Sequence, residues 1–441
     1  MTHASFFAGR ELIDEEFKTL PDEHIATRPA IHFDGGQPRC NRCNNTTNFA
    51  SHPCARCGNI CTYCRNCIEM GKISSCTTLY TWIGPPPEHH ENAGTLHWTG
   101  TLSAGQKTAS SNVERAICHS SEHLVWAVAG AGKTEVLFQG IASALFAGKR
   151  VCIAAPRSDV VRELAPRLTT VFPDTPPAVL YGGSPDRNTY SPLVIATTHQ
   201  LYRFYHAFDV LIVDEVDAYP YTFDRSLQFA VQKARKPESA LIYLTATPHA
   251  EWQSEVKKGK REATLIPARY HRHPLPVPKT EWCGNWKKTN VPKNVLLWVK
   301  TKVEEGQRLL IFYSHIDTME KALPLFKEID LRIESVHAAD PLRKEKVAAM
   351  RRQEIPVLLS TTILERGVTF PGIDVAVIGA EDAVFTESAL VQLAGRAGRS
   401  ADYPTGEILF FHYGKTDAMM KAIRQINEMN RLGIERGLID R

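Results

Sequence analysis

Residues 127–134 read AVAGAGKT. Gly130 and Gly132 let backbone N–H groups curl around phosphate oxygens. Lys133 can reach the β- and γ-phosphates of ATP, and the Thr134 hydroxyl can ligate Mg²⁺. Ala127, Val128, Ala129 and Ala131 supply the rest of the loop, with Ala127 small where a first glycine is usual. A second stretch, VLIVDEVD, carries Asp214 and Glu215 out of an apolar run. Asp214 is expected to hold Mg²⁺ through water, and Glu215 to orient or deprotonate an attacking water. The hydroxyls of Thr245 and Thr247 in LTATP are spaced to bond that acidic stretch.

Far downstream, QLAGRAGRS runs from Gln392 to Ser400. Arg396 and Arg399 stand three residues apart, and Gly395 and Gly398 permit close approach. Phosphoryl transfer builds charge on the γ-phosphate that a donated arginine stabilises, typically by ~10³–10⁵ in rate. Entering across a cleft from a second lobe, these arginines would couple hydrolysis to lobe motion. Between the two regions, Thr361 and Thr362 end a strand-like run and can donate to a phosphodiester. Glu365, Arg366 and Gly367 follow them towards the expected cleft.

The chain has 11 cysteines. Eight of them lie between Cys40 and Cys76; Cys118, Cys152 and Cys283 are scattered and read as small, largely buried residues. A dense cluster in a chain without secretory signals points to Zn²⁺ held by thiolates. Two arrangements suit the spacing. In the first, Cys40, Cys43, Cys54 and Cys57 hold one ion, and Cys61, Cys64, Cys67 and Cys76 a second. In the other, Cys40, Cys43, Cys64 and Cys67 hold a single ion. A metal-free redox cluster is a third, weaker reading. Arg42, Arg56, Arg65 and Lys72 give this module a basic character that suits either DNA or a solvated face.

These residues need a scaffold that delivers loops to the ends of strands. HLVWAVAG, RVCIAAP, PLVIATT, VLIVDE and LIYLTAT read as buried strands alternating with helices, and so do RLLIFYS, IPVLLSTT, VAVIGA and GEILFF. The expected class is α/β. Residues 1–95 hold the cysteine module (40–76), 96–270 and 293–441 form two lobes, and 271–292 connect them. The formal net charge of +4 neither demands nor excludes nucleic acid. No apolar run is long enough to span a bilayer, and the acidic N-terminal stretch lacks a signal peptide's pattern. A cytoplasmic chain is expected, with at most peripheral membrane contact.

AGAGKT, DEVD, TAT, STTILERGV and QLAGRAGR occur in the order found in superfamily 2 helicases, whose two tandem RecA-like lobes are therefore implied. Gln106 in LSAGQK resembles their adenine-reading glutamine. In their pattern Arg157, Thr197, Thr198 and His199 touch the backbone of a bound strand. Longer stretches, HLVWAVAGAGKTE, VIATTHQLYRFYHAFDVLIVDEVDAYP, LLSTTILERGVTFPGIDV and PTGEILFFHYG, closely resemble the ComFA family of Gram-positive bacteria, as does the CNRC…YCRNCIEMGK module. In that family Cys40/Cys43 and Cys64/Cys67 match the core metal pattern, and Tyr219 stands where an aromatic residue follows the acidic motif. The resemblance implies an ATP-driven motor on single-stranded DNA that draws in transforming DNA during competence, at the cytoplasmic face of the membrane. Its implied partners are the channel proteins, ComFC, DprA and further copies of itself. Tyr202, Phe204 and Tyr205 suit base stacking but read better as core. Competing readings are a zinc-containing RNA or replication-restart helicase and a non-catalytic nucleotide-binding adaptor.

Overall fold

The computed structural model describes residues 3–21, 23–87, 93–287, 291–366 and 368–440. Gly367 lies outside them. The chain forms two compact units. One comprises residues 1–101, 107–125 and 134–264; the other comprises 102–106, 126–133 and 265–441.

The larger sheet has seven strands in the order Ala178–Leu180, Leu193–Thr197, Val151–Ala155, Phe208–Val213, Arg235–Thr245, Glu122–Ala127, Ala263–Ile266. The pairings of Val151–Ala155 with both its neighbours are parallel. Its residues are buried without alternation, as are those of Leu193–Thr197, because helices cover both faces of such a sheet. Short apolar runs therefore become central strands, and their carboxyl ends deliver the polar motifs.

The second sheet has six strands, all paired in parallel, in the order Lys279–Trp282, Ile408–His412, Ile373–Ile378, Arg308–Tyr313, Val357–Ser360, Glu334–Val336. Two RecA-like lobes of parallel sheet are thus present. Lys279–Trp282 lies within the proline-rich stretch read from sequence as a connector. It is an edge strand with exposed Trp282, so it lacks the apolar run by which inner strands are recognised.

The N-terminal region is built from small antiparallel pieces, including a hairpin of Phe49–Pro53 with Ile60–Cys64. It belongs to the same unit as residues 134–264. Glu11, whose side chain is fully buried, pairs there with Arg28 and with buried Lys233. Asn66 Nδ2 donates to Ser226 Oγ at 2.9 Å, at the start of helix Arg225–Ala234.

Candidate functional site

The phosphate loop follows strand Glu122–Ala127 and opens helix Lys133–Phe146. Ala127, Val128, Ala129, Ala131 and Thr134 are buried, whereas Lys133 is half-buried. Gly130 has φ 83°, the left-handed region that glycine enters without penalty. Gln106 is buried beside the loop. Its Nε2 donates to the carbonyls of Ala131 (2.9 Å) and Gly132 (3.3 Å), and its Oε1 accepts from Ser103 N–H at 2.8 Å. In this conformation the Nε2 end of the amide braces the loop, while its Oε1 end is held by Ser103.

Asp214 is buried at the end of strand Phe208–Val213, and its carboxylate accepts from Glu215 N–H at 2.9 Å. Glu215 has φ 54°, a conformation uncommon for a residue with a side chain and one that clusters at functional sites. Asp217, two residues on, had no role in the sequence reading. Thr245 Oγ1 donates to its Oδ1 at 2.8 Å, and Thr247 Oγ1 donates to its Oδ2. The two hydroxyls therefore tie the acidic motif to the neighbouring strand. The spacing of DEVD contained that aspartate but not the strand pairing that selects it.

The arginine-bearing loop follows helix Glu387–Ala394. Arg396 is buried: its Nε donates to the Glu365 carbonyl at 2.9 Å and its Nη1 to the Val368 carbonyl. Buried Arg366 pairs with Glu365 at 3.1 Å. Arg399 is only half-buried, donating through Nε to the Gly395 carbonyl at 2.9 Å. Gln392 is buried, and Thr361 and Thr362 are half-buried at the end of strand Val357–Ser360. The phosphate loop and this loop belong to the same compact unit. A Cβ added at Gly395 would stand 2.6 Å from Ala129 Cβ, so only glycine permits the approach.

Arg269, which the sequence reading missed, lies fully buried in this unit. Its Nε donates to the Ala129 carbonyl at 3.1 Å, its Nη1 to the carbonyls of Ala397 (2.8 Å) and Gly398, and its Nη2 to that of Gly395 at 3.2 Å. One guanidinium thus gathers carbonyls of both loops. Burial, and then the charge of Arg399, push its pKa down to about 9. No motif signals a residue that acts only on backbone carbonyls.

Of the residues expected to meet a DNA backbone, Arg157 is paired with Asp159 at 2.7 Å, ahead of helix Ser158–Val171. Thr197 and Thr198 are buried, Thr198 wholly, and His199 is half-buried. Tyr202 and Phe204 are core residues; Tyr205 is half-buried and stacks on His206. Tyr219 is exposed.

The eight cysteines form two groups: they differ from the two-ion division expected from order along the chain, but the first is the four-cysteine set of the single-ion arrangement. Cys40, Cys43, Cys64 and Cys67 are together, and Cys54, Cys57, Cys61 and Cys76 are together; within each group all sulfurs lie within 4.8 Å of one another. The hairpin explains the interleaving. Cys61 and Cys64 are three residues apart on strand Ile60–Cys64. An odd spacing puts them on opposite faces, about 10 Å apart along the strand, so they cannot share an ion. Zn–S bonds of 2.3 Å in a tetrahedron need sulfurs about 3.8 Å apart. The observed Sγ–Sγ distances are 3.8 Å (Cys40–Cys67), 3.6 Å (Cys43–Cys64), 3.7 Å (Cys54–Cys76) and 3.3 Å (Cys57–Cys61). Both groups fit a thiolate-bound Zn²⁺, and all eight thiols are free of disulfides. The first group is buried and backed by amide donors, Asn45 to Cys64 Sγ at 3.4 Å and Asn66 to Cys43 Sγ at 3.9 Å. Such contacts fix ligand orientation. Arg42, considered as a DNA contact, is instead buried and donates to the carbonyls of Cys67 and Met70. Arg56 pairs with Asp14 and Glu15, and Lys72 lies over the Tyr63 ring, while Arg65 is exposed.

Residues 2–81 match the family model for the competence protein ComFA N-terminal domain. Residues 99–250 match the type III restriction enzyme res subunit, and 287–401 the helicase conserved C-terminal domain. Competence protein ComFA of Bacillus subtilis (strain 168) is 48% identical over 417 residues, covering 94% of this chain and 90% of that protein. Its counterpart in Streptococcus pneumoniae (strain ATCC BAA-255 / R6) is 39% identical over 433 residues, covering 96% and 98%. Among solved structures, Mycobacterium smegmatis helicase Lhr bound to ssDNA and AMP-PNP is similar with a TM-score of 0.56, at 17% identity over 75% of this chain and 50% of that one. RecG bound to a three-way DNA junction gives 0.54, at 16% identity over 77% and 47%. The structural likenesses bear on the fold alone. With an N-terminal domain and two helicase lobes matched along its length, and relatives this similar over nearly all of it, the chain belongs to the ComFA family of competence proteins and is helicase-like in its ATPase lobes.

Proposed function

We propose that this chain is an ATP-driven motor on single-stranded DNA, stimulated by that strand, which helps draw transforming DNA across the cytoplasmic membrane while acting at its inner face. The observation that supports this most is the approach of the arginine-bearing loop to the phosphate loop, with Gly395 against Ala129 and Arg269 joining their carbonyls. When bound, ATP and Mg²⁺ supply the transferring phosphoryl group and the cation that screens it. Backbone N–H groups of residues 129–134 cradle the phosphates, and Lys133 adds a point charge. Thr134 would ligate Mg²⁺ through its hydroxyl, and Asp214 would hold the ion through water. Glu215 orients or deprotonates water, and Asp217 with Thr245 and Thr247 carries the state of that motif into the sheet. Gln106, already bonded to the loop, is the residue that would read adenine.

Arg399, the less buried of the two arginines, is the transition-state donor; Arg396 holds the carbonyls of Glu365 and Val368. Arg157, Thr197, His199, Thr361 and Thr362 contact the strand's backbone, which carries no sequence information and so suits any incoming DNA. Two structural Zn²⁺ ions, one per cysteine group, hold the N-terminal module. Channel proteins, ComFC, DprA and further copies of the chain are the partners on this reading. Domain boundaries at 1–95, 96–270, 271–292 and 293–441 divide the labour. Lys133→Ala tests the nucleotide site: a folded variant should lose ATP hydrolysis by at least ~10²-fold, since the phosphates lose their charged partner. Hydrolysis near the wild-type rate would remove the site from the phosphate loop.

A further inference from the structure

A small, partly open pocket lies beside the N-terminal region in the first unit. Arg10, Arg187 and Arg203 line it, with Glu16 and Gln200, and Phe204 contributes an apolar wall. Three arginines meeting in one cavity need a reason, because like charges brought out of water repel strongly.

Their protein partners are few. Arg10 Nη2 donates to the Thr189 carbonyl at 2.9 Å. Arg187 Nη2 and Arg203 Nε lie 2.8 and 2.7 Å from the same Glu16 oxygen, and Arg203 Nη1 donates to Gln200 Oε1 at 2.8 Å. Arg203 Nε makes no well-aligned hydrogen bond despite that short distance. Three guanidiniums carry about fifteen N–H donors. Among the described residues they share three acceptor groups: Thr189, Glu16 and Gln200. Among the described residues lining the pocket, Glu16 is the one carboxylate against three arginines, and Arg10 also lies over the Phe6 ring. Arg150 adds a further buried guanidinium behind Arg10, packed over Tyr190, Phe204 and Phe208. Burial and Arg150 push the Arg10 pKa down to about 10, and Glu16 only partly offsets this.

We infer that this cavity binds one phosphate group, held by Arg10, Arg187 and Arg203. Guanidinium forks match the oxygens of a tetrahedral phosphate, and donors from three residues can surround it. Glu16 sits behind them as the positioning residue that orients Arg187 and Arg203. Two sources of the group are open to a test: the backbone of a bound strand, or free inorganic phosphate. Arg203 ends the turn Thr198–Arg203, which begins at the residues proposed to meet the strand. A strand leaving Thr197 could therefore place its next phosphates here. That arm rests on the DNA reading above; the free-phosphate arm does not.

The test uses the full chain and two variants, Arg187→Gln and Arg203→Gln. The Arg187 side chain is half exposed, so its variant should fold even if the other does not. In the first measurement, melting temperature is followed as phosphate replaces chloride at constant ionic strength. Wild type should gain a few degrees, and the variants little or nothing. In the second, affinity for oligothymidylate is measured across a series of KCl concentrations. If the strand is the source, the slope of log affinity against log salt should fall by ~0.7 in each variant, the loss of one phosphate contact. Phosphate stabilisation lost in the variants with an unchanged slope assigns the site to a free phosphate. Equal phosphate response in wild type and variants, together with an unchanged slope, overturns the inference. Failure of wild type to bind oligothymidylate sinks the DNA reading, while the phosphate measurement still decides the cavity.

Discussion

Arg396 and Arg399 are three residues apart and differ in what surrounds them. Arg396 is buried on the carbonyls of Glu365 and Val368, so an alanine there leaves buried acceptors without donors. Arg399 is half-buried, donating through Nε to the Gly395 carbonyl at 2.9 Å and through Nη1 to Thr369 Oγ1 at 3.4 Å. Arg399→Ala should therefore leave ATP affinity nearly intact and slow single-turnover hydrolysis by ~10²–10⁴. Lysine should rescue it poorly, since the planar fork is part of the fit. Arg396→Ala should weaken hydrogen-exchange protection of Glu365, Arg366, Val368 and Thr369 as well as slowing hydrolysis. Wild-type single-turnover rates in both variants would end the finger assignment. The phosphate loop was legible because its chemistry is local: glycine, lysine and threonine act through their own backbone and side chains within eight residues. Arg269 was not, because its acceptors are carbonyls, which no residue type announces. Asp217 was within a recognised motif, yet its importance rests on hydroxyls 28 and 30 residues away.

At the level of elements, the cysteine module shows what residue order conceals. Knuckles read in sequence pair first with second and third with fourth. The register of Phe49–Pro53 on Ile60–Cys64 instead sends Cys61 to one end of the hairpin and Cys64 to the other. Metal analysis should find two Zn²⁺ per chain, and either Cys61→Ser or Cys64→Ser should lose one. Only the Cys64 variant should also loosen the contact with helix Arg225–Ala234, because Asn66 bridges Cys43 and Ser226. Loss of both ions from a single substitution would contradict two separate sites. Glu11 is a second test at this scale. Its carboxylate is buried between Arg28 and Lys233, so Glu11→Ala leaves Lys233 buried without its counter-charge. Removing one partner of a buried pair costs about 3–5 kcal/mol. The first unfolding transition in denaturant should shift accordingly, and the double variant Glu11→Leu, Lys233→Met should recover much of that loss. An unshifted midpoint for Glu11→Ala would mean the N-terminal region does not depend on this anchor.

Across the whole molecule, the inner strands were readable because runs such as VCIAA and LVIAT can only be buried on both faces. The edge strands Ala178–Leu180, Glu334–Val336 and Lys279–Trp282 were not, being short or flanked by proline-rich chain. The order of strands in each sheet depends on long-range pairing that no local pattern encodes. The phosphate loop and the acidic motif are unaffected, since each sits at the end of a strand that was recognised. Whether hydrolysis answers to a bound strand separates a motor from a protein that merely holds nucleotide. The decisive measurement is steady-state ATP hydrolysis by the full chain, alone and with saturating single-stranded DNA, duplex DNA or RNA. The account predicts acceleration of at least ~10-fold by single-stranded DNA, with duplex and RNA well behind, because an ordered site lowers the barrier only when its arginine and water-positioning groups are brought together. A rate indifferent to single-stranded DNA, or raised more by RNA, would contradict it.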